Sequence, residues 1–337
     1  MRGAVSAVAA LAALITLAPF AGAAPSRWAR ARSPALDQRA IMLSAVDELE
    51  SRASFIGSQA RERPSMAVHK RALLESAREL LEQGGAERSR DLRVRYRLAE
   101  VYHQLQDDER CIPIFEGILR SGAPDVMLAE VYGYLAISYA RLARHQDEIR
   151  AYGEALAREP HNRARAMLLS NRAEAYMAVG DITAAVEGYR AALSMLTSID
   201  MLVNQQGATT LWGLGVALDR AGDVEAGITA IRLARTYDPE DKGIKGPDWF
   251  YVPPYDQFYY HALGHWSAAR ATELGPGKAE EYARAVAQWE EYIASAPAED
   301  RWLPIAKVRL KQCEKERDAF LHAAQKRLRP GGARGPE

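Results

Sequence analysis

The hydrophobic residues of the central stretch, residues 169–193, recur with the period of two short amphipathic helices. Leu169, Ala173 and Tyr176 follow one another at spacings of four and three, which places them on one helical face. Gly180 can adopt the left-handed conformation that ends many helices, and Asp181 is a residue type that caps the next one. A second apolar face follows, made of Ala185, Val186, Tyr189, Ala192 and Leu193. One helix hairpin cannot bury both of its faces, so the pattern predicts neighbouring hairpins.

Related patterns occur on both sides of this hairpin. Aligned on one small residue of the first helix, four copies lie at Ala99, Ala136, Ala173 and Gly215, with spacings of 37, 37 and 42 residues. A fifth copy with longer loops contains Gly264 at the matching position. We expect the extra residues between copies to lie in the connecting loops. Four copies exceed the roughly three that a stable stack needs.

The central stretch resembles the tetratricopeptide repeat (TPR), a unit of about 34 residues with favoured small and aromatic positions. Leu169, Ala173, Tyr176, Gly180, Ala185, Tyr189 and Ala192 match that pattern. The resemblance implies an all-α fold, a right-handed α-solenoid of TPR-like helix hairpins. It also implies a concave groove lined by the first helix of each hairpin. The groove residues that the resemblance implies are Arg93, Tyr96, Glu100, His103, Glu130, Ile137, Met167, Ser170, Glu174, Met177, Thr209, Trp212, Val216, Asp219, Phe258, His261 and His265.

The groove chemistry favours one kind of partner. Family members that clamp a peptide carboxylate use Lys, Asn and Arg at such positions, and Arg93 is the one comparable cation among these residues. The other positions mix aromatic, Met and acidic side chains, which suit a partner segment with apolar and basic side chains. We therefore expect a protein partner, either a peptide segment or a component of a larger complex, and no nucleic acid. A run of Arg residues from 88 to 97 is interpreted as a solvated, ion-paired face, although it could also hold a phosphate or carboxylate.

The pattern divides the chain into successive regions. Residues 1–23 are predicted to be a signal peptide, 24–36 a flexible lead-in, and 37–90 a divergent helical hairpin that caps the stack. Four TPR-like repeats follow at 92–240, then an insert rich in aromatic residues and Pro at 241–257. A fifth, irregular repeat is predicted at 258–300, a capping helix at 304–328, and a disordered tail at 329–337.

The first 23 residues have the features of an export signal. Arg2 precedes a charge-free apolar run that ends in Ala21-Gly22-Ala23, a sequence typical of signal-peptidase sites. The alternative is an uncleaved membrane anchor, because the run approaches the ~20 residues that span a bilayer. The export signal, together with 36 Arg against 8 Lys and abundant Ala, which are typical of a GC-rich genome, predicts an exported protein, periplasmic or secreted, in a Gram-negative bacterium.

The predicted insert concentrates aromatic side chains around Pro253 and Pro254. One interpretation is a long loop that folds back onto the helices, because so much aromatic surface favours burial. The other is an exposed recognition loop, because aromatic residues dominate interface hot spots. The residues that would act in recognition are Trp249, Phe250, Tyr251 and Tyr255.

Charge and cysteine content narrow the possibilities further. The chain carries 44 basic and 44 acidic residues, so it has no overall attraction for nucleic acid or anionic lipid. Cys111 and Cys313 are the two cysteines, and both are predicted to be buried thiols, not a disulfide. Cys111 occupies a small-residue position of its repeat, and neither cysteine belongs to a metal-ligand spacing.

No sequence motif indicates catalysis. The chain has no phosphate-binding glycine loop, nucleophile elbow or dinucleotide fingerprint. His261 and His265 have a spacing compatible with two metal ligands, yet no third ligand is placed by the sequence, and both are interpreted as wall residues. We expect that the protein is not an enzyme and binds no cofactor or metal. We predict that it is a protein-interaction scaffold of the cell envelope. The alternative is an accessory or catalytic domain for cell-wall glycan, which needs Glu273 or Asp256 near Trp249.

Overall fold

Helix hairpins account for the fold, and they end where helical periodicity gives way to turn residues. In a computed structural model of the protein, the described residues are 38–60, 65–196, 205–245, 251–272 and 275–328. These residues form α-helices and one short 3-10 helix at Ala86–Arg88, without a β-strand among them. The predicted fold class, an all-α array of TPR-like helix hairpins, is confirmed for this part of the chain.

The helices are numbered here in chain order. Their bounds are α1 (Gln38–Ala60), α2 (Ser65–Gln83), α3 (Leu92–Gln104), α4 (Asp108–Leu119), α5 (Asp125–Arg141), α6 (His145–Arg158), α7 (Asn162–Val179), α8 (Ile182–Met195), α9 (Gln205–Arg220), α10 (Val224–Tyr237), α11 (Lys242–Lys245), α12 (Asp256–Ala271), α13 (Pro276–Ser295) and α14 (Leu303–Leu328). The hairpins are α1–α2, α3–α4, α5–α6, α7–α8, α9–α10 and α12–α13.

The four consecutive hairpins from α3 to α10 turn through the same backbone conformation. One residue of each turn has a positive φ, and these residues are Gln106, Ala143, Gly180 and Gly222, at 62°, 54°, 85° and 95°. The amide of the following residue donates to the carbonyl five positions back, at 2.8–2.9 Å in all four turns. This bond satisfies a carbonyl that the end of the first helix leaves without a partner. The turn predicted at Gly180 therefore has counterparts in which Gln or Ala occupies the glycine position.

The chain packs into two compact units, one ending at Ile114 and one beginning at Phe115. We call them unit 1 and unit 2. The boundary lies inside α4, within the first of the predicted repeats. The division of the chain into a cap at 37–90, four repeats at 92–240 and later regions stays a prediction.

Unit 1 has a small core and one polar cluster. The core joins apolar side chains of α1, α2 and α3, including Val46, Leu74 and Leu98. Beside it, Arg97 of α3 pairs with Asp47 and Glu50 of α1 and with Glu100. The predicted Arg-rich face is thus ion-paired at Arg97.

Unit 2 is a stack in which successive long helices pack against one another, while the short α11 packs against α9. Contacts join α6 to α7, α7 to α8, α8 to α9 and α9 to α10, and the series continues through α12 and α13 to α14. The C-terminal part of the core is aromatic. Its fully buried members include Trp212, Trp266, Trp289, Tyr259, Tyr260 and Tyr292. Both cysteines are buried thiols, as predicted, with Cys111 in unit 1 and Cys313 in unit 2.

The predicted insert at 241–257 is partly helical. The short helix α11 lies within it, and α12 begins at Asp256, two residues before the predicted start of the fifth repeat. Tyr251 is half-buried and donates its hydroxyl to the carbonyl of Ile244 at 2.9 Å, and its ring meets that of Tyr260 edge-on. Tyr255 is also half-buried, so the described aromatics of the insert pack against the helices. Trp249 and Phe250 lie outside the described residues.

Three predicted regions also lie outside the described residues, namely the signal peptide at 1–23, the lead-in at 24–36 and the tail at 329–337. Within the described part of the chain, no helix combines the length and apolarity needed to cross a bilayer.

Candidate functional site

The predicted groove residues differ widely in their exposure. In unit 1, Arg93 is exposed and His103 is buried, while Tyr96 and Glu100 are half-buried. In unit 2, Glu130 and Met167 are exposed. The half-buried residues of unit 2 are Ile137, Ser170, Glu174, Thr209, Phe258, His261 and His265, and the buried ones are Met177, Trp212, Val216 and Asp219.

The prediction that Trp212, Val216 and Asp219 offer groove surface is wrong for this structure, because each has no exposed surface. The reason is the position of α12, which packs against both α9 and α10. Gly264 of α12 lies so close to Trp212 that an added Cβ would come within 2.7 Å of its ring. The regular stacking assumed from the repeat pattern does not include this close approach. Met177 and His103 are buried as well, at 2% and 6% exposure.

Asp219 is the centre of a buried polar contact between three helices. Its carboxylate accepts hydrogen bonds from the Tyr259 hydroxyl of α12 at 2.6 Å and from Nε of Arg309 of α14 at 2.7 Å. Burial raises the pKa of Asp219, and the charge of Arg309 opposes that rise. A buried pair of this kind depends on both partners, because either one alone would leave an uncompensated charge.

The next residue, Arg220, forms a second buried pair. Its guanidinium contacts the carboxylate of Asp256 at the start of α12. The rings of Tyr259 and Trp302 lie 4.5 and 4.9 Å from its guanidinium carbon, so aromatic faces cover the cation. Its Nε is buried and has no hydrogen-bond partner. Arg220 is therefore fixed by ion pairing and aromatic contacts.

Beside Arg220 lies a cavity of about 190 Å³, which we call the acidic cavity. Four carboxyl groups line it, those of Glu174, Asp256, Glu299 and Asp300, together with Arg220 and Arg301. The side chains of Glu299 and Arg301 are exposed, so the cavity reaches the protein surface. The remaining lining residues are His145, Met177, Ala178, Val252, Pro253, Tyr255, Pro297 and Trp302.

The carboxyl groups of the cavity differ in how they are held. Asp300 accepts hydrogen bonds from the hydroxyls of Tyr255 and Tyr292 and from the amide of Trp302, each at 2.9 Å. Asp256 is paired with Arg220. Both carboxylates therefore already have partners within the protein. Glu174 and Glu299 are the acidic groups that remain for a ligand.

Glu174 has the most perturbed ionisation in the cavity. Burial, with the negative charges of Glu148 and Asp256, raises its pKa to about 8, although Arg220 opposes the rise. At pH 7 the Glu174 carboxyl is therefore mostly protonated and neutral. A cation entering the cavity would favour the ionised form and release this proton. The arrangement can therefore bind a cation, with proton release coupled to binding.

A contact between distant parts of the chain forms part of the rim of the cavity. Arg301, just before α14, donates to the backbone carbonyl of Val179 at the C-terminal end of α7. The last carbonyls of a helix carry partial negative charge, so a guanidinium is stabilised there. The segment 297–302 is thereby held against the central hairpin.

The described residues place no third potential metal ligand close to both His261 and His265. His265 shares a 2.8 Å hydrogen bond with Glu281 of α13, a contact within its own hairpin. Burial lowers the pKa of His261, and Lys245 and His265 lower it further. No group of three potential ligands among the described residues includes either histidine. For the glycan hypothesis, Asp256 is engaged with Arg220, and Glu273 and Trp249 lie outside the described residues.

Comparisons with known proteins give weak structural similarity and no sequence match. No family model matches the chain, and no curated protein matches it. The structure is similar to the MamA protein at 15% identity, covering 61% of this chain and 99% of that one, with a TM-score of 0.40. It is similar to the Cut9–Hcn1 hetero-tetramer of APC/C at 14% identity, covering 84% and 50%, with a TM-score of 0.46. A tetratricopeptide repeat protein from Parabacteroides merdae matches at 12% identity, covering 80% and 99%, with a TM-score of 0.43.

At these identities and TM-scores the neighbours carry no argument about function. The TPR-like arrangement rests on the hairpins and turns of the chain itself.

Sequence reasoning missed the residues that complete the cavity from the C-terminal side. Asp300 and Trp302 line the cavity and Arg309 pairs with Asp219, and none of the three was identified as a site residue, because they lie at or beyond the end of the last repeat and fit no groove position. A signal was present at Asp219-Arg220, where two charges end the apolar run LWGLGVAL. Charged residues at the end of a buried helix need partners, and those partners come from α12 and from the segment around α14.

Proposed function

We propose that this protein is a non-enzymatic scaffold that binds a segment of another protein. A Lys or Arg side chain of the partner enters the acidic cavity, and apolar residues beside it contact the surrounding hairpins. The observation that carries this proposal is Glu174, a carboxyl with a raised pKa in a cavity that reaches the surface.

The chemistry of the cavity supports a cation over an anion. Arg220 is already neutralised by Asp256, and Arg301 is engaged with the carbonyl of Val179. Glu174 and Glu299 have acceptor oxygens to offer an incoming ammonium or guanidinium. Tyr255 and Trp302 add aromatic surface beside that position, which favours a cation further.

The size of the cavity supports a side chain as the ligand. A cavity of about 150 Å³ in another protein is large enough to hold benzene. The 190 Å³ of the acidic cavity therefore accommodates the charged end of a Lys or Arg side chain. The partner's backbone would remain outside, near the exposed Glu299.

Site-specific photocrosslinking tests where the partner binds. A photoreactive residue replaces Glu299 at the cavity rim, and a control replaces Glu187, an exposed residue of α8 that does not line the cavity. We expect one protein to be crosslinked from position 299 in the source cells and not from position 187. Equal crosslinking from both positions, or none from 299, contradicts the proposal.

The pH dependence of binding tests the role of Glu174. A peptide taken from the crosslinked partner should bind more tightly as pH rises from 6 to 8, by up to about tenfold per pH unit, because binding releases the Glu174 proton. Glu174→Gln should remove this slope, and replacing the peptide's basic residue by Gln should weaken binding. A slope that persists in Glu174→Gln, or binding that is indifferent to the basic residue, contradicts the assignment.

We also propose that the scaffold works in the cell envelope of a Gram-negative bacterium. The support is the predicted signal sequence at 1–23, and cleavage after Ala23 would leave Ala24 as the first residue of the mature protein. N-terminal sequencing of the protein from fractionated source cells tests this. A chain that begins at Met1 and stays in the cytoplasmic fraction contradicts it.

A further inference from the structure

The turn between α3 and α4 brings three potential metal ligands together. They are His103 near the end of α3, Asp108 at the start of α4 and Cys111 one turn later. One ligand atom from each residue lies within 4.8 Å of the other two, and all three residues are buried. We propose that His103, Asp108 and Cys111 bind a divalent metal ion of the zinc class.

The backbone explains why the three side chains meet. Gln106 adopts its positive φ of 62° between the two helices, which reverses the chain within three residues. Asp107 then donates its amide to the carbonyl of Tyr102 at 2.8 Å, which fixes the start of α4 against the end of α3. Asp108 and Cys111 are three residues apart on α4, so they share a face. The cluster is therefore set by the turn that all four hairpins share.

The other hairpins show that the fold itself does not require these donors. The shared turn aligns the hairpins residue by residue, because each has its positive-φ residue at the same place. The residues equivalent to His103, Asp108 and Cys111 are Ala140, His145 and Glu148 in α5–α6, Met177, Ile182 and Ala185 in α7–α8, and Asp219, Val224 and Gly227 in α9–α10. The central hairpin fills all three positions with apolar side chains. The α3–α4 hairpin alone among these four has three donors there.

The α5–α6 hairpin shows what a smaller donor set does at these positions. The half-buried His145 and the buried Glu148 share one hydrogen bond of 2.8 Å. At the equivalent positions of α3–α4, the Cys111 thiol donates to the backbone carbonyl of Asp108 at 3.6 Å and lies 4.0 Å from its carboxylate, and His103 adds a third donor where α5–α6 has Ala140. A buried carboxylate beside an imidazole and a thiol matches the way proteins hold metal ions, where burial of charge is balanced by the ion.

The donor types identify the class of metal. Zn²⁺ takes thiolate, imidazole and carboxylate ligands at about 2.0–2.3 Å in tetrahedral geometry, so its ligand atoms lie roughly 3.3–3.7 Å apart. The donor atoms lie within 4.8 Å of one another, so their separations would shorten by up to about 1.5 Å when the ion binds. Three protein ligands leave the fourth position for water or another donor. Thiolate and imidazole disfavour Mg²⁺ and Ca²⁺, which prefer oxygen ligands.

An ion can reach the site through the turn itself. Gln104, Gln106 and Glu109 surround the cluster in the chain and are all exposed. A small opening of the turn therefore connects the buried donors with solvent. Binding would release the Cys111 proton, so affinity is expected to increase with pH.

Cobalt titration of the full chain without a histidine tag tests the proposal. After dialysis against chelator, we expect about one equivalent of Co²⁺ to bind and to produce a thiolate-to-cobalt absorption band in the near ultraviolet. Zn²⁺ should displace the Co²⁺ and raise the melting temperature. Cys111→Ser should abolish the band, while Cys313→Ser, which removes the other buried thiol, should keep it.

Two further variants separate the site from adventitious binding and from misfolding. Asp108→Asn preserves the side-chain volume and should weaken metal binding at least about tenfold while the helical circular dichroism is unchanged. His161→Ala removes an exposed histidine and should leave the stoichiometry at about one. The proposal is overturned by a titration without the absorption band, by a band that survives in Cys111→Ser, or by binding that disappears in His161→Ala.

Discussion

The central hairpin α7–α8 and the C-terminal hairpin α12–α13 share a repeat pattern but differ in their surroundings. The first is joined by a short turn and packs regularly between α6 and α9. The second follows the 241–257 segment, and α12 contacts both helices of the preceding hairpin. Its core is built from Tyr259, Trp289 and Tyr292, whose rings meet edge-on at 4.8 and 5.2 Å.

The two hairpins therefore differ in which side chains they bury: mainly apolar ones in α7–α8, and charged and polar ones as well around α12–α13. The central hairpin α7–α8 makes the apolar stacking contacts that any stacked hairpin can make. Its packing does not require buried polar side chains. The irregular hairpin brings Asp256 and Tyr259 against Arg220 and Asp219, and so creates buried polar groups. Yet the cavity is not built by the C-terminal region alone, because α7 contributes Glu174. Function is therefore expected where the two kinds of hairpin meet.

A substitution in the central hairpin α7–α8 should lower the free energy of unfolding the most. Tyr189→Ala removes a buried ring that lies against the backbone of Gly213 on α9. We expect the free energy of unfolding to fall by about 3–5 kcal/mol, as large-to-small core substitutions do. Urea denaturation measures this. Leu233→Ala, at a site that is 44% exposed, is the control and should cost less than about 1 kcal/mol. Equal effects of the two variants would place Tyr189 outside the core.

The next largest loss of stability is expected at the buried Asp219–Arg309 pair, which joins α14 to α9. Asp219→Asn keeps the shape of the side chain but leaves the charge of Arg309 buried without its partner. We expect a loss of about 3 kcal/mol in the free energy of unfolding. Asp318→Asn, an exposed ion pair with Arg317 on the same helix as Arg309, should change stability by less than about 1 kcal/mol. If the two variants unfold alike, the Asp219–Arg309 pair does not hold α14.

The third effect depends on pH. The pKa of Glu174 is raised from its usual 4.5 to about 8 on folding. The folded state therefore binds the Glu174 proton more tightly, and this contribution to stability is full below about pH 4.5 and is lost as pH rises to about 8. Glu174→Gln stays neutral, so it should gain stability relative to the wild type between pH 5 and 8. Melting curves at both pH values check this, and a constant difference between the two proteins contradicts it.

The smallest effect tests the shared turn. Gly180→Ala places a Cβ at φ 85°, which should cost about 1–2 kcal/mol and displace the Arg301 side chain that lies against Gly180. Ala143→Gly makes the opposite change at the equivalent residue of α5–α6 and should cost nothing or stabilise by up to about 1 kcal/mol. Thermal melting of both variants measures the pair. A loss in Ala143→Gly as large as that in Gly180→Ala would mean that the two turns are not equivalent.

The regular part of the fold could be predicted from sequence because its determinants are local. The spacing of Leu169, Ala173 and Tyr176 sets a helical face, and Gly180-Asp181 sets a turn. In the structure, Gly180 has positive φ and Asp181 accepts from the amide of Ala184 at 3.1 Å. The turns at Gln106 and Ala143 were harder to identify, because Gln and Ala, unlike Gly, do not indicate a left-handed conformation in the sequence.

The site could be predicted only in part, since it depends on contacts between distant residues. Glu174 and Asp219 were identified as wall residues from the repeat pattern. Nothing local to Trp212 indicated that Gly264 would lie against it and bury it. Arg309 is 90 residues from Asp219, and no period in the chain connects the two. The proposed metal site was missed because its residues occupy unrelated positions of the repeat. His103 is at a groove position, Asp108 begins a helix and Cys111 is at a small-residue position, and their spacing matches no standard metal motif.

The contact between Arg301 and the carbonyl of Val179 spans 122 residues. Stacked hairpins otherwise touch only their neighbours, so such arrays can fray from one end while the rest stays folded. Here the segment just before the last helix contacts the end of α7 through Arg301, and Arg309 joins the last helix itself to α9. A growing chain can therefore stack its central hairpins early, and it supplies every lining residue of the acidic cavity before α14, which then adds the contact of Arg309 with Asp219. A chain truncated before α14 would keep all the lining residues of the cavity but lose the Arg309–Asp219 pair that joins the last helix to α9.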